Sequence, residues 1–282
     1  MLFKIKHTTH YRYSSEVFLE PHLLRVRPRT DAYQTLKIFD LDILPFPSTK
    51  NMKVGLNNHS DYMLWFEGHT TELKIVATSV VETENSNPFN FIIYPFTATQ
   101  LPMRYNDATH IEVMPFLTQV SKDEKVQKLA KELMLDIDFQ TLPFISHLTR
   151  YLYDHFQVEK PNPFSPPAMP EVTLEKMSGS YKDLAYLQLA LCREAGIAAR
   201  YVLGYQVDNF NFPNSLHAWV EVYLPGAGWK GFDATTGMAI GERHIALTAA
   251  HVPSLCNLVT GTYRGNASSH LDTSIEINHI SS

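Results

Sequence analysis

Cysteine is scarce in this chain: two in 282 residues, Cys192 and Cys256, with no CxxC pair and no metal-type spacing. That excludes a disulfide framework and leaves a structural zinc site without support. Positive charge is not in excess either. Lys plus Arg number 24 against 29 Asp plus Glu, a formal net charge of -5, whereas a general nucleic-acid binder carries a basic footprint. No apolar run approaches the roughly 18 residues of a membrane-spanning helix. The opening MLFKIKHTTHYRY lacks the apolar core of a signal peptide, so the expected location is the cytoplasm, with no membrane partner. The 13 His are dispersed. The closest pair, His7 and His10, point to opposite faces if they lie on a strand, so neither a metal nor a cofactor is expected.

What is present describes an ordinary folded chain. Hydrophobic residues make up 44% and charged residues 19%, and 16 Phe, 14 Tyr and 3 Trp disfavour disorder. The length suits two domains at roughly 150 residues each. It also allows burial of about three quarters of the unfolded surface, so no covalent staple is required.

Residues 1 to about 100 alternate apolar and polar positions in short runs. Phe3 and Ile5, Leu36 to Ile43, Met63 to Phe66 and Leu73 to Val81 are examples, separated by Pro, Asn, Asp or Ser. This predicts an antiparallel sandwich or similar β unit, with Asn85-Ser86-Asn87-Pro88 as a breaker after its last strand. From about residue 120 the period becomes helical. Lys122 to Leu135 carries Val126, Leu129, Ala130 and Leu133, with Ser121 as a candidate cap. Thr141 to Phe156 repeats the pattern, with Pro143 in its first turn. Lys160 to Pro170 holds five prolines in eleven residues, too many for helix or central strand. Tyr181 to Ala195 reads as a buried helix, apolar nearly all round and stopped by Gly196. Strand patterns follow at Ala199 to Val207, Leu216 to Leu224, Trp229 to Asp233 and Ser274 to Ile280, with a Pro225-Gly226-Ala227-Gly228 turn. The second half is therefore α+β, helices before an antiparallel sheet.

Two segments can carry chemistry: the helix entrance Gly179-Ser180-Tyr181-Lys182-Asp183, and the hairpin from His217 to Asp233. Adjacent strands joined by a tight turn can bring His217 and Asp233 within hydrogen-bond reach. A carboxylate on one imidazole nitrogen leaves the other free to act as a base. The same residues also fit a packed strand histidine and a turn-forming aspartate, and these local patterns do not choose.

Larger patterns do. Near the N-terminus stand Tyr11-Arg12-Tyr13, Pro21-His22-Leu23-Leu24-Arg25-Val26-Arg27-Pro28-Arg29 and Val80-Val81-Glu82. Later come Asp183-Leu184-Ala185, Ala190-Leu191-Cys192-Arg193, Ala199-Arg200-Tyr201-Val202-Leu203-Gly204-Tyr205, His217-Ala218-Trp219-Val220-Glu221-Val222-Tyr223 and Gly231-Phe232-Asp233. Over nearly its whole length the chain thus resembles the bacterial transglutaminase-like proteins of the papain-like cysteine-enzyme superfamily. The resemblance implies an N-terminal antiparallel β domain at 1–105 and a papain-like core at 106–282, helices packed on an antiparallel sheet.

It also implies a Cys-His-Asp triad. In that family the Cys opens the buried helix, where the helix N-terminus favours the thiolate. It attacks a glutamine or peptide carbonyl, and an amine or water resolves the acyl-enzyme. Position by position, His217 and Asp233 match the family's His and Asp, but the nucleophile position is Tyr181. A phenol with a pKa near 10 needs about three units of depression to ionise at pH 7, roughly 4 kcal/mol. Cys192 lies eleven residues along the helix, about 16 Å away, and Cys256 sits in a later loop. Both read as buried hydrophobes. Ser180 shares the helix entrance but points about 100° from the slot. The resemblance with its departure implies a fold that has lost cysteine chemistry and has a binding or structural role, a binder holding a protein or peptide in the core groove. The alternative is an acyl-transfer enzyme or peptidase with a non-standard nucleophile beside His217 and Asp233. Oligomeric state is not legible.

Overall fold

The computed structural model describes residues 1–55, 58–84, 86–162, 165–207 and 215–280. Asn85 of the expected breaker lies outside the described residues. The N-terminal half contributes β1 (Leu2–Leu19), β2 (His22–Leu24), β3 (Gln34–Leu44), β4 (Thr49–Val54), β5 (Ser60–Trp65) and β6 (Thr70–Thr83). Along β1, Phe3, Ile5, His7 and Thr9 are buried while Lys4 and Lys6 are exposed, so the period-two pattern of the sequence becomes one core-facing side. The strands are longer than the sequence runs suggest. Ser14-Ser15-Glu16 does not end β1, because a register shift between Arg12 and Val17 absorbs the segment as a bulge against β6.

Three helices follow: α1 (Asp107–Leu117), α2 (Glu124–Leu135) and α3 (Thr141–His155). The cap of α2 is Asp123, whose Oδ1 accepts from the Lys125 amide at 2.8 Å. Ser121, the expected cap, instead donates to Glu171 at 2.8 Å. Helix α1 has no sequence stripe to read, since Val113 is its one buried side chain and Pro115 lies inside it.

Next come β7 (Gln157–Val158), α4 (Pro170–Lys176) and β8 (Ser178–Gly179), with β7 and β8 paired in parallel, and then α5 (Tyr181–Glu194). Leu184, Leu187, Leu189 and Leu191 are all buried, and α5 packs on β9 (Ala199–Gln206) and β10 (Leu216–Leu224). With β11 (Gly228–Asp233), β12 (Met238–Ala239) and β13 (His244–Ala250) these form an antiparallel sheet in the order β12-β11-β10-β9-β13. Gly204 on β9 permits the close approach of β13: a Cβ there would meet the Ile245 carbonyl oxygen at 2.1 Å.

The chain then returns to its beginning. β14 (Val259–Thr260) pairs with β2, while β15 (Tyr263–Arg264) and β16 (Ser269–His279) both pair with β1. The β16 register runs from Phe3 opposite His279 to Tyr13 opposite Ser269. A division at 105/106 therefore leaves this last strand on the sheet of the first part rather than on that of the core. A buried ion cluster also joins the two parts: Glu221 on β10 pairs with Arg200 on β9 and with Arg29 from the N-terminal half. The described helices include none long and apolar enough to cross a membrane.

Candidate functional site

Tyr181 is placed by the start of α5. Ser180 is the N-cap, and Asp183 three residues on reaches back to it. Its Oδ2 accepts from the Ser180 amide and from Ser180 Oγ, both at 2.7 Å, closing the helix end as a capping box does. The other oxygen accepts from the Ala168 amide at 2.7 Å, which pins the proline-rich segment to the helix. Ser180 is therefore occupied as a cap, and its residue is buried. The Tyr181 residue is 6% exposed. Burial, reinforced by the nearby Asp183 carboxylate, raises its pKa above the ordinary phenol value.

His217 on β10 and Asp233 at the end of β11 meet as the hairpin reading expects. Nε2 of His217 lies 2.9 Å from Oδ2 of Asp233, with both residues fully withdrawn from solvent. Two groups that sequence reasoning missed complete the arrangement. His244 on β13 brings its Nε2 to 3.2 Å from the same Oδ2. The Thr235 amide and hydroxyl both donate to Oδ1 at 2.8 Å. Burial alone would raise the Asp233 pKa, but His217 and then His244, through charge and hydrogen bonding, hold the carboxyl well below its usual range. Because the carboxylate only accepts, both histidines carry their proton on Nε2 when neutral. Each Nδ1 is then a bare lone pair, and both Nδ1 atoms are buried without a protein partner among the described residues.

Tyr181 and His217 are brought together, but through their rings. The centroids are 5.3 Å apart with the planes tilted by 45°. The Tyr181 hydroxyl bonds neither nitrogen of His217. The slot where the resemblance puts a nucleophile therefore holds an aromatic contact.

The remaining sulfur atoms are poorly placed for chemistry. Cys192 is fully buried on α5, and Cys256 is buried with its Sγ 3.5 Å from the Tyr201 carbonyl. Burial pushes both thiols up to about 12. Cys256 nonetheless lies on the wall of the cleft that Tyr181 also lines, a position the loop reading did not fix.

Ligand atoms of His217, Asp233 and His244 all lie within 4.8 Å of one another, a cluster that could hold a cation. The chemistry of the donor set points the other way. Each Asp233 oxygen already accepts two hydrogen bonds. Ligating imidazoles also normally donate their second N–H to an outer partner, which neither Nδ1 finds among the described residues. The cluster is self-consistent as a buried carboxylate shared by two imidazole N–H donors.

Comparison with known proteins agrees with this layout. Residues 3–82 match the bacterial transglutaminase-like N-terminal region, and residues 124–234 match the transglutaminase-like superfamily. An uncharacterized protein of Mycobacterium leprae is 23% identical over 286 residues, 98% of each chain. One from Mycobacterium tuberculosis is 25% identical over 295 residues, spanning 98% of this chain and 92% of its own. Among solved structures, a candidate cysteine protease from Cytophaga hutchinsonii superposes with a TM-score of 0.78 at 21% identity, over 100% of this chain and 91% of that one. At that identity the likeness speaks for the fold.

Proposed function

The chain belongs to the bacterial transglutaminase-like family, and from that premise we propose that it is a non-catalytic member whose cleft binds a protein or peptide segment without cutting or coupling it. The observation that carries the reading is the Tyr181 ring packed on His217 at the head of α5. Acyl transfer in this fold needs a nucleophilic electron pair next to the imidazole base. Tyr181 presents a tilted ring instead, and its environment makes the phenol harder to ionise, not easier. Neither thiol is a substitute, since both are buried and held protonated at neutral pH.

One observation favours the second reading, acyl transfer with a non-thiol nucleophile: His217 has an Nδ1 without a partner among the described residues and an oriented Nε2. That is half of a general-base machine. The two readings separate by turnover. Purified protein is expected to incorporate no amine into glutamine peptides and to cleave no peptide above background. Turnover that survives replacement of both cysteines and is abolished by His217→Ala would establish the second reading.

A further inference from the structure

The cavity above Tyr181 has a composition that names its ligand class; this inference deepens the binding reading just given and rests on it. The cavity is about 440 Å³, lies between the N-terminal sheet and the core, and has Tyr181 on its wall. That is a usual size for a small-molecule or short-peptide site. Apolar side chains form much of its wall, among them Leu203, Leu216, Val259 and Leu271. The hydroxyl-bearing residues Thr9, Tyr181, Tyr201 and Thr273 belong to the same lining. His7 is also there, but burial lowers its pKa to about 4 and its Nδ1 is held by the Tyr205 hydroxyl at 2.9 Å. It is therefore neutral at physiological pH.

One formal charge remains in the described lining, the ammonium of Lys182. Its Nζ donates to the carbonyls of Asn162 and Ser165, each at 2.6 Å. Those acceptors orient the group without neutralising it, and one N–H is left over. The nearest acidic neighbour in sequence, Asp183, directs its oxygens to Ser180 and Ala168, so its charge reaches the ammonium without a direct contact. Among the described residues no carboxylate lies within ion-pair distance of Lys182. A half-buried cation whose one nearby carboxylate, Asp183, acts on it only through space, at the side of a cavity rich in apolar and hydroxyl-bearing residues, has no acid in direct contact with it.

We propose that this cavity binds a carboxylate carried on an apolar body, the anion meeting Lys182 and the body lying against Leu203, Leu216 and Leu271. A free peptide carboxy-terminus and a small organic acid share that chemistry, and the test distinguishes them. Calorimetric titration of the full chain would use N-acetyl-Leu-Phe as free acid and as amide, alongside phenylbutyrate and phenylbutyramide. A hydrogen bond to a charged group predicts that the acid of at least one pair binds about tenfold tighter than its amide. Preference in the peptide pair assigns a peptide terminus, and preference in the phenylbutyrate pair alone assigns a small acid. Lys182→Met should bring acid and amide to parity. If that variant is unfolded, Lys182→Gln and the wild-type comparison decide. Equal affinities for acid and amide, or no binding of any of the four, overturns the assignment and leaves the non-catalytic reading standing. His217-dependent cleavage of a bound peptide would do the reverse.

Discussion

Replacing Tyr181 by Cys asks whether the rest of the site is still assembled. The new thiol sits at the first position of α5, beside an imidazole whose ring lay 5.3 Å from the phenol it replaces. A free thiol titrates near about 8.5. The helix N-terminus can lower that by up to about one unit, and an imidazolium partner by about one to three more. Burial works against both, as it does for Cys192 and Cys256, but removing the ring opens the slot towards the cleft and readmits water. A value near about 6 is then expected. At pH 6 the thiolate fraction rises from about 0.3% to about one half, roughly 150-fold. The lower basicity of such a thiolate returns roughly tenfold in nucleophilicity, leaving iodoacetamide alkylation about tenfold faster than that of a free thiol. Loss of most of a buried ring should lower stability by about 2–4 kcal/mol, so circular dichroism and a urea melt must first show the variant folded. Adding His217→Ala should remove most of the acceleration, leaving the helix N-terminal share. A folded Tyr181→Cys protein with an ordinary thiol pKa, indifferent to His217, would refute the claim that β10 still holds the imidazole against the helix.

Other expectations follow from burial and charge. Cys192 and Cys256 should react with Ellman's reagent only after unfolding, and fast native labelling of either would contradict its placement. His7 has its pKa lowered by burial to about 4, so between that value and the unfolded 6.5 the unfolded chain binds the extra proton. Stability is therefore full above pH 6.5 and falls as the pH drops towards 4, with His7 alone contributing on the order of 2–3 kcal/mol to the loss. Urea midpoints at pH 7 and pH 4.5 check this, and a His7→Gln protein with the same pH dependence as the parent would count against it. Arg29→Met leaves the buried Glu221 with Arg200 alone and should cost on the order of 3 kcal/mol in urea unfolding. A silent substitution would mean that the cluster does not tie the N-terminal half to the core.

What could be read from the sequence is what local pattern and punctuation encode. The helix from Tyr181 and the strands on either side of Pro225-Gly226 announce themselves by period, by Gly196 at one end and by the turn residues at the other. The contact between His217 and Asp233 follows from that hairpin. What stayed hidden depends on pairing between distant segments. Nothing around Ser269–His279 signals that it joins β1 at the other end of the chain. The N-terminal wall of the cleft, with Thr9 and Thr273 on it, was therefore invisible too. His244 was hidden for a similar reason. It opens an apolar strand, and its approach to Asp233 depends on β13 pairing with β9, outside the hairpin altogether. The aromatic contact of Tyr181 was the subtlest case: the residue at the slot was legible, but whether its hydroxyl or its ring met His217 depended on side-chain direction.

That last contact also bears on what the histidine–aspartate pair does for the fold, turnover aside. Asp233 is fully buried and satisfied by four donors, from His217, His244 and Thr235 twice. Withdrawing any of them leaves part of a carboxylate unsolvated, a penalty of about 1–3 kcal/mol or more for a charged group. A substitution at His217 or Asp233 is thus costly to the fold whether or not chemistry occurs, and retention of the pair says little about turnover. A change at the first position of α5 carries no comparable penalty so long as the replacement fills its space, and a tyrosine does so with its ring tilted against the imidazole. On the non-catalytic reading proposed above, the first position of α5, not the pair, is therefore the one that separates an enzyme from a binder in this fold.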